Sequence, residues 1–265
     1  MPTLREPAVA GLFYPGDPAA LAAEVDAYLA EATPRAAPAP KAIIAPHAGY
    51  IYSGPVAATV YARLAPLRGR VKRVVLAGPA HRVYVEGAAI PSVESFATPL
   101  GPVPLDRDAL AQLRALPFVE VSDRAHAQEH CLEVHLPFLK AVLGDFTLVP
   151  IVVGDASTDE AATLLEALWG GDETLIVLSS DLSHYHAYDD ARRIDGATAD
   201  AIVHLDARLV PEEACGAIPI NGLLRAARKR GLVPEQLDVR NSGDTAGPRD
   251  RVVGYGAFTF TPAHA

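Results

Sequence analysis

Cysteine, tryptophan and methionine are scarce in this chain of 265 residues, with two, one and one respectively. Cys131 and Cys215 cannot build a disulfide framework, which excludes the small stapled scaffolds. No stretch reaches the roughly 18 consecutive apolar residues of a membrane span. The opening Met1-Pro2-Thr3-Leu4-Arg5-Glu6-Pro7 has no apolar signal core. A long basic run is also missing: Lys and Arg number 23 against 32 Asp and Glu, a net charge of −9. Nucleic-acid and anionic-membrane binding both rest on clustered positive charge, so neither is expected. No GxGxxG follows the first strand and no GxxxxGK[ST] occurs, so nucleotide binding has no support. The GxSxG elbow is absent as well, and Ser179-Ser180 beside Asp181 and His184 is not a serine-hydrolase signature. What is present is a chain that is 50% hydrophobic, enough to bury a full core. A soluble, reduced, cytoplasmic protein is expected.

The apolar pattern alternates between two periods. Asp17 can cap a first helix that carries Leu21, Val25, Tyr28 and Leu29 on one stripe, and it ends before the proline-rich connector at residues 33–40. Strand-length runs follow at Ala42–Ala45, Arg73–Ala77, Ala88–Ile90, Thr147–Val153, Thr174–Ser179, Leu237–Arg240 and Val252–Phe260. Between them lie helical patterns at Pro55–Leu64, Asp108–Leu116, Glu129–Leu143, Thr158–Trp169, Asp189–His204 and Gly222–Arg230. Strands apolar on both faces, alternating with helices, predict a single α/β domain over residues 1–265 with a largely parallel sheet flanked by helices. The last run alternates like an antiparallel strand. With no repeat and no shift in composition, no domain boundary is expected.

Ligands of open α/β sheets bind beyond the carboxyl ends of the strands. Three apolar runs here each deliver a histidine soon after they end, at His47, His81 and His184. A lone histidine is more often a packing residue than a ligand, but three in matching loops predict a shared site. Two imidazoles plus one anionic group, with positions left open, make a reactive metal centre. Asp181 is one source of the anion, or it orients His184 as an acid–base group. Cys215 is another, as a thiolate; from composition alone it reads as a small buried hydrophobe. Gly49 and Gly78-Pro79 lie where backbone can approach a ligand. Asn241-Ser242-Gly243-Asp244 reads as a loop between strands.

The segment His126-Ala127-Gln128-Glu129-His130-Cys131-Leu132-Glu133-Val134-His135 is a second cluster. On a helix, His126 and His130 share a face, as do Glu129 and Glu133. It is not the HExxH zinc pattern, and Leu132, Leu136, Phe138 and Leu139 make it chiefly a packing element. Glu129 and His130 are expected on the pocket wall or behind its ligands.

Several motifs in order resemble the Memo family, known in prokaryotes as protein B of the AmmeMemoRadiSam system. They are Arg5-Glu6-Pro7-Ala8-Val9-Ala10-Gly11-Leu12-Phe13-Tyr14-Pro15, Ala45-Pro46-His47-Ala48-Gly49-Tyr50, Gly78-Pro79-Ala80-His81, Glu129-His130-Cys131-Leu132-Glu133-Val134-His135-Leu136-Pro137-Phe138 and Ser179-Ser180-Asp181-Leu182-Ser183-His184. That family is similar in fold to the class III extradiol ring-cleaving dioxygenases. The resemblance implies His47, His81 and Cys215 as ligands of iron(II) or copper, with zinc permitted by the donor set. It implies His184, with Asp181 beside it, as the catalytic acid–base pair, and AMMECR-like and radical-SAM proteins as partners. A cysteine stands where the dioxygenases carry glutamate, so ring cleavage does not transfer with the fold. Three readings follow: a metal-dependent oxidoreductase-type protein acting on a small molecule, a protein whose cleft binds a peptide or partner, and a metal-free thiol enzyme with Cys215 as nucleophile and His184 as base.

Overall fold

The apolar runs become strands, and the helical stripes between them pack onto the sheet those strands form. The computed structural model describes residues 3–32 and 38–263, so residues 33–37 of the proline-rich connector lie outside the described residues. A short strand β1 (Leu4–Arg5) precedes helix α1 (Pro18–Glu31). The Asp17 side chain caps α1 by accepting from the Ala20 N–H at 2.8 Å, with Pro18 in the first turn. Next come β2 (Ala42–Ala45), α2 (Tyr50–Tyr61) and β3 (Arg73–Pro79). Short strands β4 (Ala88–Ile90), β5 (Ser95–Phe96) and β6 (Val103–Pro104) lead through α3 (Arg107–Leu113) to β7 (Val119–Val121). Helices α4 (Asp123–Ala127) and α5 (Leu136–Leu143) precede β8 (Thr147–Val153) and α6 (Thr158–Ala167). The chain continues through β9 (Thr174–Ser179), β10 (Asp181–His186), α7 (Tyr188–Val203) and α8 (Ala217–Arg230). It finishes with β11 (Leu232–Asn241) and β12 (Val252–Pro262).

The large sheet has the order β10-β12-β2-β9-β3-β8-β4-β7, with β11 paired to β12. Its centre, β2-β9-β3-β8, is parallel, and there Ile43, Ile44, Val75, Leu76, Ile176 and Val177 are all fully buried. Both flanks turn antiparallel, with β4 against β8 on one side and β12 against β2 and β10 on the other. The alternation of Val252–Phe260 foresaw that last arrangement. Helices cover the sheet, giving a mixed α/β single-domain architecture. A separate small sheet, β1-β5-β6, ties the start of the chain to the loop after β4. No helix among the described residues is long and apolar enough to cross a membrane.

Several local expectations change. Helix α2 starts at Tyr50, with Pro55 inside it instead of opening it. Glu129–Leu143 is not one helix: residues 128–132 are irregular, Glu133–His135 is a 3₁₀ turn, and only Leu136–Leu143 is α-helical. The Glu129 carboxylate accepts the N–H groups of His130 and Cys131 at 3.0 and 3.1 Å, so its side chain takes donors that a helix would use. His126 and His130 therefore do not share a helix face. The Leu237–Arg240 strand extends to the ten residues of β11. Asp181–His184 lies within strand β10, paired with β12 after the chain turns at Ser180. Asn241–Asp244 does form the loop after a strand, closed by an Asn241/Asp244 capping box.

Candidate metal centre

Three neighbouring strands, β2, β9 and β3, run parallel and end at one edge, with Ala45 in register with Ser179 and Leu178 with Ala77. The residues that follow are thereby brought together: His47 after β2, His81 after β3 and Ser180-Asp181 after β9. Gly78 makes room for this arrangement. A Cβ there would stand 2.8 Å from the Cys131 Sγ and 3.0 Å from the Ser179 Cβ.

Each of the two histidines is held by its Nδ1. The buried His47 has Nδ1 2.7 Å from Ser179 Oγ, whose hydroxyl donates to the Cys131 carbonyl at 2.6 Å. His81 donates Nδ1–H to Glu129 at 2.8 Å and its backbone N–H to the same carboxylate at 2.7 Å. Burial pushes the Glu129 carboxyl up, but the bonds and charge from His81 and the Cys131 N–H outweigh it and hold the group at about 2. An ionised carboxylate accepts only, so Nδ1 of His81 carries the proton and Nε2 is the nitrogen left to bind. Burial, then the neighbouring imidazoles, keep His47 well below the ordinary histidine range and therefore neutral.

Cys215 enters from the turn before α8. Its Sγ lies 3.4 Å from His47 Nε2 and accepts the Asp181 N–H at 3.3 Å. Burial, then the Asp181 charge, raise the thiol to about 12, so the sulfur keeps its proton until a cation displaces it. His130 comes closer than a wall position implied. Its ring stacks on His81 with centroids 4.8 Å apart and meets His47 edge-on at 5.5 Å. Its buried Nδ1 has no hydrogen-bond partner among the described residues. One ring nitrogen each from His47, His81 and His130 fall within 4.8 Å of one another. The donor set is thus three imidazoles with a thiol beside them, which suits a borderline first-row metal ion such as iron(II), copper or zinc.

Asp181 does not pair with His184. Its carboxylate accepts the His47 backbone N–H at 2.8 Å, and among the described residues no hydrogen bond joins it to His184. Burial raises Asp181 to about 7 despite that bond. His184, half-buried, is lowered by burial and so is a neutral acceptor. Both line a cleft of about 580 Å³ with His47, His81 and His130. Phe13, Tyr52, Tyr185 and Tyr255 give its walls aromatic surface. Arg251, whose guanidinium lies 5.1 Å from the Tyr185 ring centroid, is the one Lys or Arg lining it among the described residues. Tyr185 holds a φ of 61°, a left-handed conformation that costs energy for any residue but glycine. A second cavity of about 390 Å³, lined by Arg82, Tyr84 and Asp155, shares His81 with the cleft and contains Cys215.

His47, His81 and Cys215 are therefore gathered at one place, with Glu129 behind His81 and His184 on the cleft wall. The sequence reading missed Ser179 as a partner of His47, and it missed Tyr52, Tyr185, Arg251 and Tyr255 on the wall. Ser179 stood in view as the last residue of an apolar run. Nothing in periodicity marks the others.

Comparison with known proteins bears on the whole chain. A MEMO1 family protein of Sulfolobus acidocaldarius is 35% identical over 97% of this chain and 99% of the relative. One of Aquifex aeolicus is 36% identical with the same coverage, and one of Methanosarcina barkeri is 37% identical over 96% of this chain and 99% of the relative. An uncharacterized protein from Escherichia coli K12 of known structure superposes with a TM-score of 0.48 and 14% identity, over 82% of this chain and 98% of that one, too distant a likeness to carry an argument. The family model described as Memo-like protein matches residues 5–259, and with relatives this similar over nearly their full length the chain belongs to the Memo family.

Proposed function

We propose that His47, His81 and Cys215 bind a first-row metal ion at the floor of the cleft and that the protein carries out metal-dependent redox chemistry on a small molecule held above it. The observation that carries this reading is the preparation of the donors. Each imidazole has Nδ1 occupied by a buried partner, and the Cys215 sulfur lies against His47 Nε2. Iron(II) or copper is the expected ion, with zinc also suited to the donors; when bound it supplies Lewis acidity and, for iron or copper, electron transfer. The chain's own residues supply the rest. Aromatic walls hold and orient an apolar body and exclude water from it. His184 takes a proton from the bound molecule, and Asp181, on the same wall but bonded elsewhere, is a second proton-holding group. The cleft volume falls in the range usual for small-molecule sites.

The test is anaerobic metal analysis of untagged protein beside His81→Ala and Cys215→Ser. Near-stoichiometric iron or copper in the parent, most of it lost in His81→Ala and reduced in Cys215→Ser, is the expected result. Full occupancy in His81→Ala sinks the assignment.

One observation favours a binding role instead. Leu12, Ile51 and Tyr185, exposed by 80%, 61% and 64%, rim the cleft with apolar surface. That reading predicts ligand capture that survives His47→Ala with no turnover under any reductant or oxygen. A metal-free thiol enzyme fits the geometry poorly, because the imidazole against Cys215 is His47 and the thiol is raised to about 12.

A further inference from the structure

We propose that Ser179 is a positioning residue that makes His47 a metal ligand through Nε2, by holding the proton of the imidazole on Nδ1. This inference rests on the metal reading above, and its test is read on metal-free protein.

A neutral imidazole carries one proton, and whichever nitrogen holds it cannot bind a metal. The neighbours of His47 decide the matter. Ser179 Oγ is fully buried and has one hydrogen to give. The Cys131 carbonyl takes it at 2.6 Å, nearer than the 2.7 Å to His47 Nδ1. With its hydrogen committed, Ser179 presents a lone pair to Nδ1, and only a protonated Nδ1 answers it. Nε2 is then bare on the side where Cys215 and His81 stand, with ring centroids of the two histidines 5.1 Å apart.

The carbonyl that fixes Ser179 belongs to the same turn that carries Glu129. Glu129 fixes the His81 proton directly, by accepting its Nδ1–H, and Cys131 fixes the His47 proton one bond removed, through Ser179. One irregular stretch, residues 128–132, thus sets the tautomers of both imidazoles. The two holders differ in kind. A carboxylate makes the imidazole it holds a stronger metal donor than a hydroxyl does, so His81 binds as the stronger ligand and His47 as the weaker one. Ser179 reaches no cleft surface and cannot act on a bound molecule except through His47.

The experiment is two-bond ¹H–¹⁵N correlation on histidine-labelled, metal-free full-length protein at pH 7.5, with cobalt(II) titration alongside. In the parent, His47 is expected as the Nδ1–H tautomer. In Ser179→Ala its Nδ1 loses its acceptor, and the resonance is expected to move to a mixture or to Nε2–H. The cobalt(II) dissociation constant rises about tenfold or more, while His81 keeps its tautomer. Parent protein with His47 protonated on Nε2 overturns the proposal without any variant, so an unfolded Ser179→Ala does not shield it. Unchanged tautomer and unchanged cobalt affinity in a folded Ser179→Ala overturn it as well. Failure of the metal reading looks different: the tautomers come out as stated, yet neither cobalt(II) nor iron(II) binds.

Discussion

Glu129 has its two oxygens engaged by four donors: the His81 ring and backbone N–H, and the N–H groups of His130 and Cys131. Exchange for glutamine puts an amide where two acceptors were needed and lets the His81 ring turn. Glu129→Gln is expected to weaken cobalt(II) binding by about 10- to 100-fold with little change in far-UV dichroism, as loss of a carboxylate behind a ligand histidine usually does. An affinity within twofold of the parent contradicts that role. His130 gives a second comparison, since its ring lies within the cluster while its Nδ1 has no hydrogen-bond partner among the described residues. His130→Ala should retain more metal than His81→Ala, and the reverse order would make His130 a primary ligand. Much of this is legible in the order of the residues alone. His47, His81 and His184 each follow an apolar run of strand length, and the ends of parallel strands are where sites form. Cys215 is not legible from spacing, because it sits in a turn with no period, and only the family resemblance singles it out. Ser179 looks like the end of a strand, and its hydroxyl takes meaning only from Cys131, which is 48 residues away.

Elements were easier to read than their ends. The parallel centre of the sheet and the antiparallel last strand followed from which faces were apolar. The break at residues 128–132 did not, because Leu132, Leu136 and Leu139 keep a helical period across it while a single carboxylate takes the N–H groups. Strand β10 was hidden for another reason: Asp181, Ser183 and His184 are polar, and their strand form comes from pairing with Tyr255 and Val253. Between β9 and β10 the chain turns so closely under the start of α8 that Gly216 admits no side chain. A Cβ there would stand 2.7 Å from the Ser179 carbonyl and 2.8 Å from the Ser180 Cβ. Gly216→Ala must therefore shift backbone beside Cys215. A loss of about 1–3 kcal/mol in urea unfolding is expected, together with lower metal content. A variant of parental stability and full occupancy would show that the turn yields without cost.

Across the whole molecule the first residues are fastened to the middle of the chain. Glu133, fully buried, accepts from the Arg5 guanidinium, from Ala8 and Val9 N–H at 2.7 and 3.0 Å, and from Tyr14 O–H at 2.5 Å. That fastening places Phe13 against His130 in the cleft wall. Arg5→Met leaves the carboxylate buried without its cation and is expected to cost about 3–5 kcal/mol in urea unfolding; a loss below about 1 kcal/mol would mean that the neutral donors suffice. Acid acts on other groups. Burial holds His126 at about 4 and His135 at about 3, below the ordinary 6.5. The unfolded chain takes up protons at these two imidazoles below pH 6.5 that the native state refuses, so their contribution to stability is complete above that pH and declines beneath it. The slope is at most about 1.4 kcal/mol per pH unit for each imidazole. Urea midpoints at pH 7.5, 6.0 and 5.0 measure it, and a flat profile is inconsistent with neutral burial. The place of β12 has a consequence for manufacture. It pairs with β2, β10 and β11, yet the ribosome makes it after all three. Until β12 has been made, β2 waits with one edge open and β10, which carries Asp181 and His184, has no neighbour to pair with among the described strands. The chemistry is assembled only once β12 is in place, and a chain that stops before β12 carries every candidate ligand but has no strand to close the sheet that holds them.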